Sequence, residues 1–132
     1  MIPKFRVWDK RFSEFVEDFF VSEDGKIYKK TKDTCYGFAI SRETSDKIIL
    51  MQSTGLKDKN GNEIFEGDVV QYQNTKVPSA DSKGVIRYFD NWAMFGIDIE
   101  YNEPRALFFN GLADHISLEV VGNIYENPEL IE

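Results

Sequence analysis

The sequence predicts a mainly β fold: a small antiparallel barrel, SH3-like or related, with an N-terminal strand and hairpin extension and little helix. Three observations carry this. About seven short runs are rich in β-branched and aromatic residues, and several of them alternate apolar with polar side chains. Dipeptides suited to tight turns separate these runs, among them Asp24-Gly25, Asn60-Gly61, Gly67-Asp68 and Asp90-Asn91. Helical spacing is confined to residues 11–20 and one terminal turn. Closing a small sheet on itself removes exposed edges, which favours a barrel over an open sheet.

Taken in order, "KFRVWDK" sets Phe5 and Val7 against Arg6 and Trp8 and reads as a half-buried strand ending at Asp9-Lys10. In "RFSEFVEDFF", Phe12, Phe15, Val16, Phe19 and Phe20 fit one face of a helix, yet "DFFVSEDGKIYKK" reads as a hairpin about Asp24-Gly25, and the two readings compete for the same residues. "DKIILMQS" and "DVVQYQ" are strands, the second with Val70 and Tyr72 on one face and Val69 and Gln71 on the other. "NTKVPSADS" is an exposed loop. "KGVIRYF" and "AMFGIDIEY" form a hairpin about Asp90-Asn91, with Ile97, Ile99 and Tyr101 facing one way and Asp98 and Glu100 the other. "RALFFN" is a further candidate strand. "HISLEV" alternates through Ile116, Leu118 and Val120 until Val121-Gly122 breaks the phase, the mark of a bulge or a barrel corner. Asn127-Pro128 opens a helical turn over Pro128 to Leu130.

No repeat, low-complexity tract or linker divides the 132 residues, so a single domain is expected, with N-terminal strands and hairpin over 1–53 and a barrel-like part over 54–132. Apolar residues make up 42 % of the chain, enough for a core without a disulfide, and the single Cys35 could not form an internal one. Charged residues interrupt the N-terminal segment and no apolar run could span a bilayer, so a soluble cytoplasmic protein is expected, with no membrane partner. The net charge of −7 is unevenly placed: residues 1–66 carry 12 basic and 12 acidic side chains, residues 67–132 carry 4 and 11. Phosphate backbones are bound by Lys and Arg, so the second half is a poor nucleic-acid surface, and Lys26, Lys29, Lys30 and Lys32 form the one basic patch.

"GLKDKNGNEIFEGDVV" gathers Asp58, Asn60, Asn62, Glu63, Glu66 and Asp68 among three glycines and invites a metal reading. An EF-hand with Gly61 at its sixth position would put Leu56 first and Gly67 twelfth, which removes both anchoring ligands. One Cys and one His cannot make a zinc site. A looser carboxylate site for Mg²⁺ stays open, but the carboxylates alternate with lysines that would neutralise them, so neither metal nor cofactor is expected. Two turns, at Asn60-Gly61 and Gly67-Asp68, account for the same residues as the entry to the strand "VVQY". No phosphate-binding glycine motif, nucleophile–base pair or metal set is visible. His115 beside Asp114, and Cys35, stand alone, so no catalytic residue is assigned and no enzyme is expected.

"LMQSTGLKDKNGNEIFEGDVV" (50–70), "LEVVGNIYENPELIE" (118–132) and "KFRVWDK" (4–10) together resemble the YopX family of phage and prophage proteins. Ser53-Thr54 departs from the more usual aromatic-Thr pair, and Phe65 stands where Tyr is common. The resemblance makes Gly55, Leu56, Asp58, Gly61, Glu66, Gly67, Asp68, Gly122, Asn123, Ile124, Tyr125, Asn127 and Pro128 signature positions, expected to serve turns and packing. It implies a small cytoplasmic protein of temperate phages and their integrated relatives, and carries over no activity. The expected function is therefore a non-enzymatic interaction or assembly protein, self-associating or engaging a phage or host protein. Nineteen aromatic residues (2 Trp, 6 Tyr, 11 Phe) exceed what a core of this size readily hides. Trp92, in a turn beside Asn91, is the candidate anchor for such a partner. Lys29 and Lys30, with Tyr88 or Trp92 as stacking aromatics, are the contacts for the alternative, a nucleic-acid-binding barrel, which the acidic second half disfavours. A DNA mimic acting on a host protein is the other alternative, drawn from the same acidity.

Overall fold

The computed structural model describes residues 2–35, 37–99, 106–108 and 114–131. The fold is mainly antiparallel β with a curled half-barrel sheet and no α-helix among the described residues, as the sequence predicts. The chain divides into two compact units: Phe5–Met51, and Gln52–Glu132 together with Met1–Lys4.

In the smaller unit, β1 (Phe5–Asp9) pairs with β2 (Glu14–Phe15) in the register Trp8 to Phe15 and Asp9 to Glu14. The helical reading of residues 11–20 is thus set aside in favour of extended chain. Ser13 and Asp18 have positive φ values of 50° and 54°, which end any helix on either side of β2. The apolar stripe also has no core to face, since Phe12 and Phe20 are exposed, whereas Val16 N–H gains a partner in the Val7 carbonyl at 2.8 Å. The hairpin reading holds: β3 (Phe19–Val21) returns as β4 (Ile27–Thr34), paired Val21 to Ile27. Gly25 supplies the positive φ of 79° in the turn, while Ser22 Oγ accepts the Lys26 N–H at 3.0 Å and donates to Asp24. β5 (Gly37–Arg42) completes a three-stranded sheet in the order β3-β4-β5.

Strand β1 buries Val7, Trp8 and Asp9 in succession, so the expected alternation fails at its end. Asp9 is held there by Arg11, which donates its backbone N–H and its Nε to one carboxylate oxygen, at 2.9 and 3.0 Å, and Nη2 to the other at 3.0 Å. The long strand β6 (Ile48–Lys57) neighbours β1 through its first residues and contributes the buried Met51.

In the larger unit the second part of β6 pairs with β7 (Glu63–Phe65), Ser53 to Phe65 and Lys57 to Glu63. A five-stranded antiparallel sheet follows, from β8 (Asp68–Asn74), β9 (Ser82–Phe89), β10 (Met94–Asp98), β11 (Ala106–Phe108) and β12 (Ile116–Asn123), in the order β11-β10-β9-β8-β12. Its core is Ile64, Val70, Tyr72, Ile86, Ile97 and Leu118, with Ile99, Ile116 and Val120 packed against it. Val70 and Tyr72 share the core face, and Ile116, Leu118 and Val120 alternate into it, both as the sequence indicates. Val69 is equally buried on the other face. Ile97 and Ile99 face the core; Glu100 and Tyr101 lie outside the described residues. The expected bulge is present, as a register shift between Val120 and Gly122. The exposed loop holds a 3-10 turn at Pro78–Ala80, and the terminal turn is a 3-10 helix over Pro128–Ile131.

Candidate functional site: a signature frame and an exposed aromatic hairpin

The signature segments meet through β8 and β12. Asp68 lies opposite Asn123 and Val69 opposite Gly122, and the Ile124 N–H donates to the Gly67 carbonyl at 2.9 Å. Gly67, at φ 83°, donates its own N–H to Ile86 O, while Asp68 accepts the Phe65 N–H at 2.8 Å. Glu66 exchanges two bonds with Gln52: its N–H reaches Gln52 O at 3.0 Å and its carboxylate accepts the Gln52 N–H at 2.9 Å. Gly55, with φ 81°, donates to Ser53 Oγ, and the half-exposed Leu56 donates its N–H to Thr54 Oγ1. At the other segment Asn123 accepts the N–H groups of Tyr125 and Glu126 and donates to the Glu126 carboxylate. Asn127 Oδ1 accepts the Asn123 N–H at 3.3 Å, and Pro128 opens the last turn. A Cβ on Gly122 would stand 2.5 Å from Asn127 Oδ1 and 2.7 Å from Leu130 Cδ1, so the terminal turn folds back over a position that has no room for a side chain.

Asp58 is the centre of the loop whose composition invited a metal reading. Its Oδ1 accepts the N–H groups of Asn60 at 2.9 Å and Asn62 at 2.8 Å; its Oδ2 accepts Asn62 Nδ2 at 3.3 Å and, from 62 residues along the chain, Val120 N–H at 2.9 Å. Burial alone would raise its pKa, but the bonds from Val120, Asn62 and Asn60 outweigh that and hold the carboxyl below its ordinary value. Gly61, at φ 85°, lets the chain turn tightly enough for both loop amides to reach it. Lys59 N–H then donates to Leu118 O, and Lys59 Nζ lies 3.2 Å from Glu119. The loop therefore lies along β12 on the side away from β8, and occupies backbone groups that the outer strand would otherwise expose. Among the described residues no group of three or more His, Cys, Asp or Glu is placed to hold a metal ion. His115 contributes its carbonyl to Thr75, and Cys35 is exposed in the turn after β4.

Tyr88 and Trp92 sit on the β9–β10 hairpin, 44 % and 58 % exposed. The strands pair Phe89 with Met94 and Tyr88 with Phe95, so Asp90, Asn91 and Trp92 form the tip as a 3-10 turn closed by Ala93 at φ 49°. Tyr88 packs edge-on to Phe95 with ring centroids 5.2 Å apart, and Trp92 leans on Phe89 at 6.4 Å. Tyr88, Phe89, Asp90, Asn91 and Trp92 line an open hollow of about 390 Å³. Phe89, Phe95 and Asp90 were not singled out in the sequence as site residues; the aromatic density of "YFDNWAMF" was the available signal. The two tryptophans differ: Trp8 is 4 % exposed and stacks edge-on against Phe15, so it belongs to the interior.

Lys29 and Lys30 are half-buried and line a polar hollow together with Glu14, Glu17 and Asp18. Lysines so accompanied by carboxylates present little net positive charge to a phosphate backbone. The side chain of Lys32 lies outside the described residues.

The family model described as YopX protein matches residues 4–132. The chain belongs to the YopX family. Among solved structures, protein EF1440 from Enterococcus faecalis is similar at 34 % identity and a TM-score of 0.64, covering 100 % of this chain and 99 % of that one. Protein yopX from Bacillus subtilis shares the fold at 20 % identity and a TM-score of 0.62, with 97 % of each chain covered. No curated protein matches the chain. Among the described residues no helix is long and apolar enough to cross a membrane.

Proposed function

We propose that this YopX-family chain is a non-enzymatic interaction protein of a phage or prophage, working in the cytoplasm of the bacterial host by binding a second copy of itself or a phage or host protein. The observation that carries the reading is the β9–β10 hairpin tip, where Trp92 and Tyr88 stand in solvent around an open hollow. Large aromatics anchor protein interfaces because they bury much area at little loss of rotamer freedom. The polar surroundings of Lys29 and Lys30 speak against the nucleic-acid alternative.

An affinity pull-down from the natural host during prophage induction tests this, split into nuclease-treated and untreated halves and run beside a Tyr88→Ser/Trp92→Ser variant. Partners that survive nuclease and disappear with the variant are expected. Partners that vanish with nuclease, and are lost instead on changing Lys29 and Lys30 to Glu, would overturn the reading in favour of nucleic-acid binding.

A further inference from the structure

We infer that the hairpin-tip hollow takes an arginine side chain from a basic segment of the partner protein; this rests on the interaction reading above and deepens it. Three features point the same way. The unit that carries the hairpin, Met1–Lys4 with Gln52–Glu132, has 7 basic and 14 acidic side chains, so it holds the chain's whole charge excess, whereas Phe5–Met51 has 9 of each. A protein surface in that field attracts basic partners and repels acidic ones. Second, the hollow is lined by Trp92 and Tyr88 together with Asp90, and among the described residues no basic one lines it. Arg87, the arginine on β9, already bonds Asp98 through Nε at 2.9 Å. Third, an aromatic wall beside a carboxylate suits a guanidinium better than an ammonium: the planar cation stacks on the ring, is weakly hydrated, and offers edge N–H groups to the carboxylate at the same time. The volume of about 390 Å³ is in the range of sites for small groups, which fits one long side chain better than a flat protein face.

Fluorescently labelled hexa-arginine and hexalysine, titrated into the full chain with anisotropy as the readout, separate this from diffuse attraction. At physiological salt hexa-arginine is expected to bind more tightly than hexalysine. Trp92→Leu should weaken hexa-arginine roughly tenfold, with little change for hexalysine. Asp90→Asn should weaken both by a smaller factor. Because Trp92 is 58 % exposed, its replacement should leave the far-UV spectrum and the unfolding midpoint in place. Equal binding of the two peptides with no response to Trp92→Leu, or no binding of hexa-arginine at physiological salt, would overturn the inference. If the pull-down still depends on Tyr88 and Trp92 in that event, the hairpin remains the interface and only its arginine preference falls. If hexa-arginine binds as expected but no protein partner depends on the hairpin, the broader reading fails instead.

Discussion

The two units of this chain secure their interiors by different means. In Gln52–Glu132 six apolar residues drawn from β7, β8, β9, β10 and β12 form one cluster, and Asp58 adds a polar tie from the loop to β12. Among the described residues of Phe5–Met51 the buried apolar side chains are Val7, Trp8 and Met51, and the most buried polar group is Asp9, held by Arg11 with Glu43 behind it at 3.2 Å. One interior rests on apolar area taken from water, the other in good part on a carboxylate whose partner is close in sequence. Apolar burial responds to deletion of side-chain volume and hardly to pH, while an ion-paired carboxylate responds to pH and to loss of its partner.

Ile86→Ala should have the largest effect. It opens a cavity in the cluster and should lower stability by about 2–5 kcal/mol, seen in denaturant unfolding. Hydrogen exchange should quicken in β8, β9 and β12 more than in β3 to β5; equal quickening everywhere would break the contrast. Asp58→Ala comes next, at about 2 kcal/mol, because the amides of Asn60, Asn62 and Val120 lose their acceptor together. Exchange at Val120 should rise most, and an unchanged Val120 would mean that the loop does not secure β12. Since the folded chain holds Asp58 and Asp9 below their ordinary values, both add stability that is complete above the unfolded carboxylate pKa and is lost as pH falls through the folded one. The smallest expected change is with Arg11→Met. Its side chain is 38 % exposed and therefore screened, but its bond to Asp9 is the principal cause of the lowered Asp9 pKa. The variant should move the Asp9 titration, followed by carboxyl NMR, upward in pH while that of Asp58 stays. If both titrations move, or neither does, the electrostatic side of the contrast is lost.

Much of this was legible locally. The hairpin at Asp24-Gly25, the turns at Asn60-Gly61 and Gly67-Asp68, the bulge before Gly122 and the terminal turn at Pro128 all follow from residues whose backbone preferences act within a few positions. Residues 11–20 were ambiguous for a physical reason: five apolar side chains at helical spacing favour a helix only if a core exists for them to meet, and spacing alone does not supply one. The burial of Asp9 at the end of a strand was equally hidden, since a carboxylate followed by Lys10 and Arg11 reads as surface until its arginine is seen to close on it.

By itself the sequence determined the β class, the positions of the turns, the uneven charge and the family, because each is a property of neighbouring residues or of their sum. Only the tertiary structure decided what those residues touch. It set Asp58 against Val120, joined the two signature segments through β8 and β12, and placed Lys29 and Lys30 among carboxylates. Pairing between distant strands fixes these contacts, and register between strands is a balance of side-chain burial over the whole sheet that no short window of sequence contains.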